Sequence, residues 1–419
     1  MNVAVINLFD PLPGESLREG RYGAFCRALV EAGHVVHWYS SDFSHAIKRP
    51  RDMETLQAAA TRAGYRLTLA PSRPYRTNVS LARLWSHQRT ARCLAKMWAA
   101  ATERPEAILV SLPPPVVGWA AARWARRCGA ALVVDVQDLW PETFRRFWPP
   151  GLGWLNPLAF AGMHREVRAA CRQAAAVVGV ARGYTDEASR WTLPGTPAAT
   201  LHLGVDLAAF DAAVRPLGAV GIEKPVQEAW VFLGGTLSAY IHWLAALDMM
   251  AELNRRGRRD VHLMVVGTGP AEAPMRQEAA RRGLTNVRFL GQQPYEVFAS
   301  VASSSDVGLV PVRPEALVLF PNRVFDYFAA GLPVVSTIGG ELAEVLAARS
   351  AGVTCEAAGP ALADAVERLL AGRQGGRADH GRRRGDWVRQ YDRAHIAAEF
   401  VAVVEDSARC RQGESGKHT

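Results

Sequence analysis

The sequence predicts an α/β protein built from two doubly wound parallel sheets. Three observations carry this. Short, wholly apolar runs alternate with helical patterns, as parallel strands covered on both faces require. The alternation runs through the first half of the chain and then restarts in the second. Finally, 419 residues exceed one ordinary core, so two domains are the natural reading.

Each element has a local reason. Val3–Leu8 is the first buried strand. A helical spacing of Phe25, Ala28, Leu29 and Ala32 follows, and Gly33 closes it as a C-cap. "HVVHWYS" makes the second strand, and Ala107–Leu112, Ala131–Val136 and Ala175–Val180 continue the series with helices between them. In the second half, Ala229–Gly235, Val261–Gly269, Asn286–Gly291, Asp306–Val312 and Leu332–Thr337 repeat the pattern. Pro216, Gly218, Gly221 and Pro225 break it in between. The predicted organisation is a domain over 1–210, a linker over 211–228, a second domain over 229–380, a C-terminal helix over 381–406 that returns towards the first domain, and a disordered tail over 407–419. The stretch from Arg377 is arginine-rich.

Composition narrows the function classes. The formal charge of +9 suits an anionic partner: a phosphorylated small molecule, a membrane surface or nucleic acid. No nucleic-acid recognition motif accompanies the charge, so nucleic acid is not expected. Six cysteines without C-x-x-C spacing speak against a zinc site or a disulfide framework. No apolar run is long enough to span a bilayer, and the first residues lack a basic n-region. The expected location is the cytoplasm, with peripheral attachment to the inner face of its membrane. Two basic, tryptophan-bearing stretches would serve that attachment. One holds Arg83, Trp85, Arg89, Arg92, Lys96 and Trp98; the other holds Arg145, Arg146, Phe147, Trp148 and Trp154.

Ligands of open α/β sheets bind beyond the carboxyl ends of the strands, so two such sheets would frame a cleft. In the second half, Gly235 and Thr236 follow one strand, and Gly267 and Gly269 follow the next. Glycine turns of this kind let backbone amides approach a phosphate, although tight βα turns need glycine in any case. The stretch "LFPNRVFDYFAAGLPVVST" is more pointed. A short helix starts near Asn322 and stops before Gly331, with Pro333 beyond it. Arg323 offers a fixed cation for phosphate oxygens. Asp326, one turn on, offers a carboxylate that can accept two hydrogen bonds from a ribose diol. Together they read as a clamp for a nucleoside diphosphate.

The same segment resembles the donor-binding motif of the family 4 glycosyltransferases of the GT-B fold, in particular their bacterial polysaccharide branch. "RALVEAGHVVHWYSS", "DVQDLWPETF", "HLGVDLAAFD", "VFLGGTLS" and "VVGTGP…NVRFLGQQPYEVFASVASSSDVGLVPV" are similar to further family segments, in family order. The resemblance implies two facing Rossmann-like domains and a retaining transferase that uses a nucleotide-sugar donor, UDP or GDP, without a metal or other cofactor. It implies that Asp326 holds the second acidic position of the E-x7-E motif and contacts ribose. The first acidic position falls on Val318, with Leu319 beside it, so the carboxylate expected at the sugar is replaced there; Glu315 lies off that register. The arginine and lysine that many members carry after the first strand of the second domain have no counterpart in "GGTLSAYIHW". That leaves the diphosphate to Arg323, to Asn322 at the helix start, and to the amides of Gly235 and Thr236.

The first domain is expected to hold the acceptor, a lipid-linked sugar or a polysaccharide precursor glycan. Asp135, Asp138 and Glu142 follow one of its strands, and Arg21 sits at the first βα turn. Asp138 and Arg323 are the residues assigned to catalysis. Arg21, Asp138 and Glu142 are assigned to the acceptor, although Asp138 ahead of Pro141 also reads as a helix cap. Two other classes share such a two-lobed pattern: a nucleotide-sugar epimerase, and a non-catalytic nucleotide-sugar or glycan-binding protein. Donor incubated without acceptor separates the epimerase, which changes the sugar, from the transferase, which leaves it or slowly hydrolyses it; donor binding without turnover over a broad acceptor panel would mark the binding protein.

Overall fold

A computed structural model describes residues 1–15, 17–149, 151–372 and 384–415. The arginine-rich stretch from Arg377 and the last four residues lie largely or wholly outside them, as do the side chains of Arg146 and Phe147. The chain divides into two compact units: Met1–His202 with Arg393–Thr419, and Leu203–Asp392.

The first unit is a seven-stranded parallel sheet in the order β5-β2-β1-β6-β7-β8-β9, with a small antiparallel hairpin β3-β4. The strands are β1 (Asn2–Ile6), β2 (Val35–Ser41), β3 (Phe43–Ser44), β4 (Arg49–Pro50), β5 (Arg66–Ala70), β6 (Ala107–Leu112), β7 (Ala131–Val136), β8 (Ala176–Gly179) and β9 (Ala198–Thr200). Every residue of β6 and β7 is buried, which is why the sequence there is apolar without alternation. The helix Arg21–Glu31 and the C-terminal helix Arg393–Ser415 cover one face together, with Phe25 stacked on Phe400 at 3.9 Å.

The second unit is a six-stranded parallel sheet in the order β12-β11-β10-β13-β14-β15. Its strands are β10 (Ala229–Gly234), β11 (Val261–Val266), β12 (Val287–Gly291), β13 (Val307–Val310), β14 (Val334–Ser336) and β15 (Gly352–Thr354). β10 pairs with both β11 and β13, so the winding reverses at β10/β13. That reversal opens the crevice at which such sheets take ligands.

Three boundaries differ from the sequence reading. The segment 211–228, read as a linker, belongs to the second unit. Lys224 donates to Asp306 at 2.5 Å and to the Ser304 carbonyl, and the Arg215 amide donates to Ser300. A lysine and an arginine amid prolines look solvated until their partners, far along the chain, are known. The tail read as disordered from 407 is helical to Ser415, with Ser407 and Ala408 buried against the first sheet. Residues 386–391, read as the start of the C-terminal helix, form a separate 3-10 turn.

Candidate active site

The crevice at β10/β13 is built around the short helix Arg323–Ala329. Val324, Phe325, Tyr327 and Phe328 are buried, and Phe325 and Phe328 pack on Tyr391 at 5.4 and 5.7 Å. The Tyr327 hydroxyl accepts from the Gly234 amide at 2.9 Å, fixing the helix to the end of β10. Gly331, at φ +63°, ends the helix in the left-handed region. With the apolar face locked inwards, Asn322 is exposed and Arg323 and Asp326 are half-buried at the carboxyl end of the sheet. The polar residues at the start of an otherwise apolar helix follow from this division of faces.

Arg323 donates from Nη2 to the Thr236 carbonyl at 2.7 Å. Its other terminal nitrogen, Nη1, is buried and has no partner. A buried guanidinium N–H without an acceptor is costly, and an ordered water or a ligand oxygen is what meets it. Asp326 accepts from the hydroxyl of Tyr295 at 3.3 Å. Tyr295, first residue of the helix Tyr295–Ser304, was not singled out from sequence. Its only hint is its place after Pro294 and the glycine that ends β12.

Two of the glycines do not offer free amides to a phosphate. The Gly235 amide already donates to Val266 and the Gly267 amide to Gly291, at 2.9 and 2.7 Å. At Gly267, φ +136°, an added Cβ would meet the Gly235 carbonyl oxygen at 2.1 Å. At Gly269, φ +156°, it would meet the Leu237 carbonyl oxygen at 2.4 Å. These glycines let two βα turns lie against each other. Thr236 is exposed and contributes its carbonyl to Arg323. Val318 and Leu319 are half-buried in the irregular loop before the helix, and Glu315 is exposed, 3.8 Å from Arg313.

In the first unit, Asp138 and Glu142 line one pocket with His164, Arg168 and Glu187. Glu142 is 3.7 Å from His164, whose Nε2 is buried without a partner. The Asp138 oxygens accept from the Leu139 amide, the Trp140 indole and the Thr143 hydroxyl at 2.8, 3.1 and 2.8 Å, so this carboxylate organises the turn after β7. Arg21 stands apart and is not the open cation that the sequence suggested. It is buried and donates to both Asp135 oxygens, at 3.3 and 3.1 Å, and to the His202 carbonyl. Tyr22 and Gln137 also donate to Asp135. A carboxylate fully out of water needs these donors, and they consume the arginine.

Comparison with known proteins fits this arrangement. Residues 228–372 match a family model for glycosyl transferases group 1, and residues 21–204 match one for a glycosyl transferase 4-like domain. No curated protein sequence matches. Among solved structures, HepE of Anabaena, solved with UDP, superposes with a TM-score of 0.61 at 14% identity, covering 100% of this chain and 99% of its own. WaaG, a glycosyltransferase involved in lipopolysaccharide biosynthesis, gives 0.59 at 14% identity, covering 98% and 100%. A Listeria monocytogenes protein named as a UDP-N-acetylglucosamine 2-epimerase gives 0.57 at 12% identity, covering 96% and 95%. The shared fold does not separate transferase from epimerase; the two family models, which between them span most of the chain, do. The chain belongs to the GT-B glycosyltransferases of the family 4 type.

Proposed function

We propose that this glycosyltransferase moves a sugar, with retention, from a UDP- or GDP-sugar to a hydroxyl of a lipid-linked or polysaccharide-precursor glycan at the cytoplasmic face of a membrane. The observation that carries the donor half is the buried, unpartnered Nη1 of Arg323, three residues from a carboxylate held by Tyr295. Breaking the anomeric C–O bond puts negative charge on the departing diphosphate. A guanidinium already oriented by Thr236 meets that charge without reorganising, the condition under which electrostatic stabilisation is strongest. Asp326 takes the ribose. The leaving phosphate itself can accept the proton of the incoming hydroxyl, so the reading requires no metal and no carboxylate at Val318. Asp138 acts through Trp140, as a positioning residue on the acceptor side. HepE binds UDP in its solved complex, which supports a uridine donor. A thermal-shift panel of UDP-, GDP-, dTDP- and ADP-sugars, run with and without EDTA, tests the reading. A rise in melting temperature with one base, insensitive to EDTA, is expected; no response to any donor contradicts it.

The membrane half rests on the helices Leu81–Ala100 and Pro115–Cys128, which carry no carboxylate. A groove of about 480 Å³ between them is lined by Arg92, Lys96, Arg123, Arg127 and Trp119, and the exposed Trp85 stands beside Arg89 and Arg92. Cations with tryptophans on one surface suit anionic lipid headgroups. Arg83 and Trp98, counted from sequence with this surface, are buried instead. No helix among the described residues is long and apolar enough to cross a membrane. Co-sedimentation with phosphatidylglycerol vesicles at low salt is expected, and its absence rules the surface out.

A further inference from the structure

A second cluster of polar and aromatic side chains lies at the carboxyl end of the first sheet. It draws Phe9 from the loop after β1, His45 and Lys48 from the turn of the β3-β4 hairpin, and Tyr75 from the loop after β5. The helix Leu81–Ala100 adds Arg83 and His87, and the turn after β7 adds Trp140. His45 Nδ1 lies 2.6 Å from the Tyr75 hydroxyl. Lys48 donates to the His45 carbonyl and to Asn78 Oδ1, both at 2.6 Å, and sits 4.9 Å over the Tyr75 ring. The Arg83 guanidinium lies between two rings, 5.0 Å from Phe9 and 4.6 Å from Trp140. His87 contacts Phe9, Tyr75 and Trp140.

Three features set the cluster apart from ordinary core. The first is its excess of positive charge. Burial, and then Arg83, Lys48 and Arg51, push His45 down to about 3; burial and then Arg83 push Lys48 down to about 8. The acids nearby are engaged elsewhere: Asp42 accepts from Ser72, Glu15 pairs with Arg51, and Asp138, whose field reaches Arg83, is held by its own turn. The second is unmet hydrogen-bonding capacity. Arg83 and His87 are 8% and 4% exposed, and Arg83 Nε and His87 Nε2 are buried with no partner. The third is the backbone. Lys48, the last residue of the hairpin turn, holds φ at +56°, a left-handed conformation that residues with a Cβ adopt chiefly in turns and that also recurs at functional sites. Here that conformation coincides with the placing of Nζ beside His45 and Asn78.

We propose that this cluster is an oxyanion subsite that takes a phosphate or diphosphate ester of the acceptor through Arg83 and Lys48, with Trp140 and Tyr75 flanking the attached group. Only the word acceptor rests on the transferase reading; the affinity for phosphate rests on the cluster itself. One helix would then present Trp85, Arg89 and Arg92 to lipid and, from another face, Arg83 and His87 to the phosphate of a molecule embedded there.

The test is calorimetric titration of inorganic pyrophosphate into the full chain with UDP already saturating. Binding is expected. Lys48→Gln, a change in a half-exposed turn, should weaken it roughly tenfold or more, as the loss of a charged donor implies, while leaving UDP affinity unchanged. Arg83→Gln should do the same, provided its melting curve remains cooperative. If the pyrophosphate titration is flat, or Lys48→Gln matches the unmodified chain, the subsite is wrong. Glucuronate binding in place of pyrophosphate, lost in Lys48→Gln, overturns the phosphate assignment. Failure of the chain to bind UDP sinks the donor reading instead, and leaves a Lys48-dependent pyrophosphate response standing.

Discussion

Arg21 and Arg323 stand in comparable places, each at the start of a helix that follows a central strand of its sheet. Arg21 is 4% exposed and its donors are spent on Asp135 and a carbonyl. Arg323 is half-buried, donates to the Thr236 carbonyl, and keeps a buried nitrogen unmatched. The first arginine is scaffold, and the second keeps a donor to spare. Position at a βα turn does not separate them. What separates them is whether the fold supplies a carboxylate.

The largest expected effect breaks the scaffold side of this comparison. Arg21→Gln leaves Asp135 buried without its cation and should cost about 3–5 kcal/mol of unfolding free energy in a urea titration. Donor affinity of the folded fraction should hold; a loss of affinity without a loss of stability would mean that Arg21 binds ligand after all. Next comes Gly267→Ala, which forces a Cβ into the Gly235 carbonyl and should cost roughly 1–3 kcal/mol, read the same way. An unchanged midpoint would return that glycine to the ligand-contact reading. Asp326→Ala should weaken UDP about tenfold and leave inorganic pyrophosphate unaffected, measured by calorimetry; equal losses would contradict the ribose contact.

The smallest effect concerns a carboxyl that lacks what Asp135 has. Burial alone pushes Glu166, half-buried on the helix Ala161–Arg172, up to about 7. A carboxyl with a raised folded pKa binds its proton more tightly in the fold than in the unfolded chain. Stability therefore falls as pH rises from about 4.5 towards 7. Glu166→Gln should melt higher than the unmodified chain at pH 8 and converge with it near pH 4, as followed by differential scanning calorimetry.

How much of this was legible depended on distance along the chain. The central strands announce themselves because burial on both faces demands an unbroken apolar run, as in "AILVSL". The edge strands β5, β9 and β15 were missed, since "RLTLA", "AAT" and "GVT" are short and border water on one side. The helix at Arg323 was readable from a Pro-Asn start and a Gly stop within ten residues. The ion pair of Arg21 with Asp135 spans 114 residues, and the contact of Tyr295 with Asp326 spans 31. No periodicity encodes such separations. The same holds for the Lys48 cluster, which gathers residues from five segments and has no linear motif.

The central claim is that Arg323 grips the diphosphate of a nucleotide-sugar. Calorimetric titration of UDP-glucose and GDP-mannose into the unmodified chain and into Arg323→Gln tests it most directly. One of the two donors should bind the unmodified chain. Its affinity should fall roughly 10- to 100-fold in the variant, the worth of one charge-assisted hydrogen bond, with the melting temperature of the ligand-free protein little changed. Equal affinity in the two proteins would contradict the account.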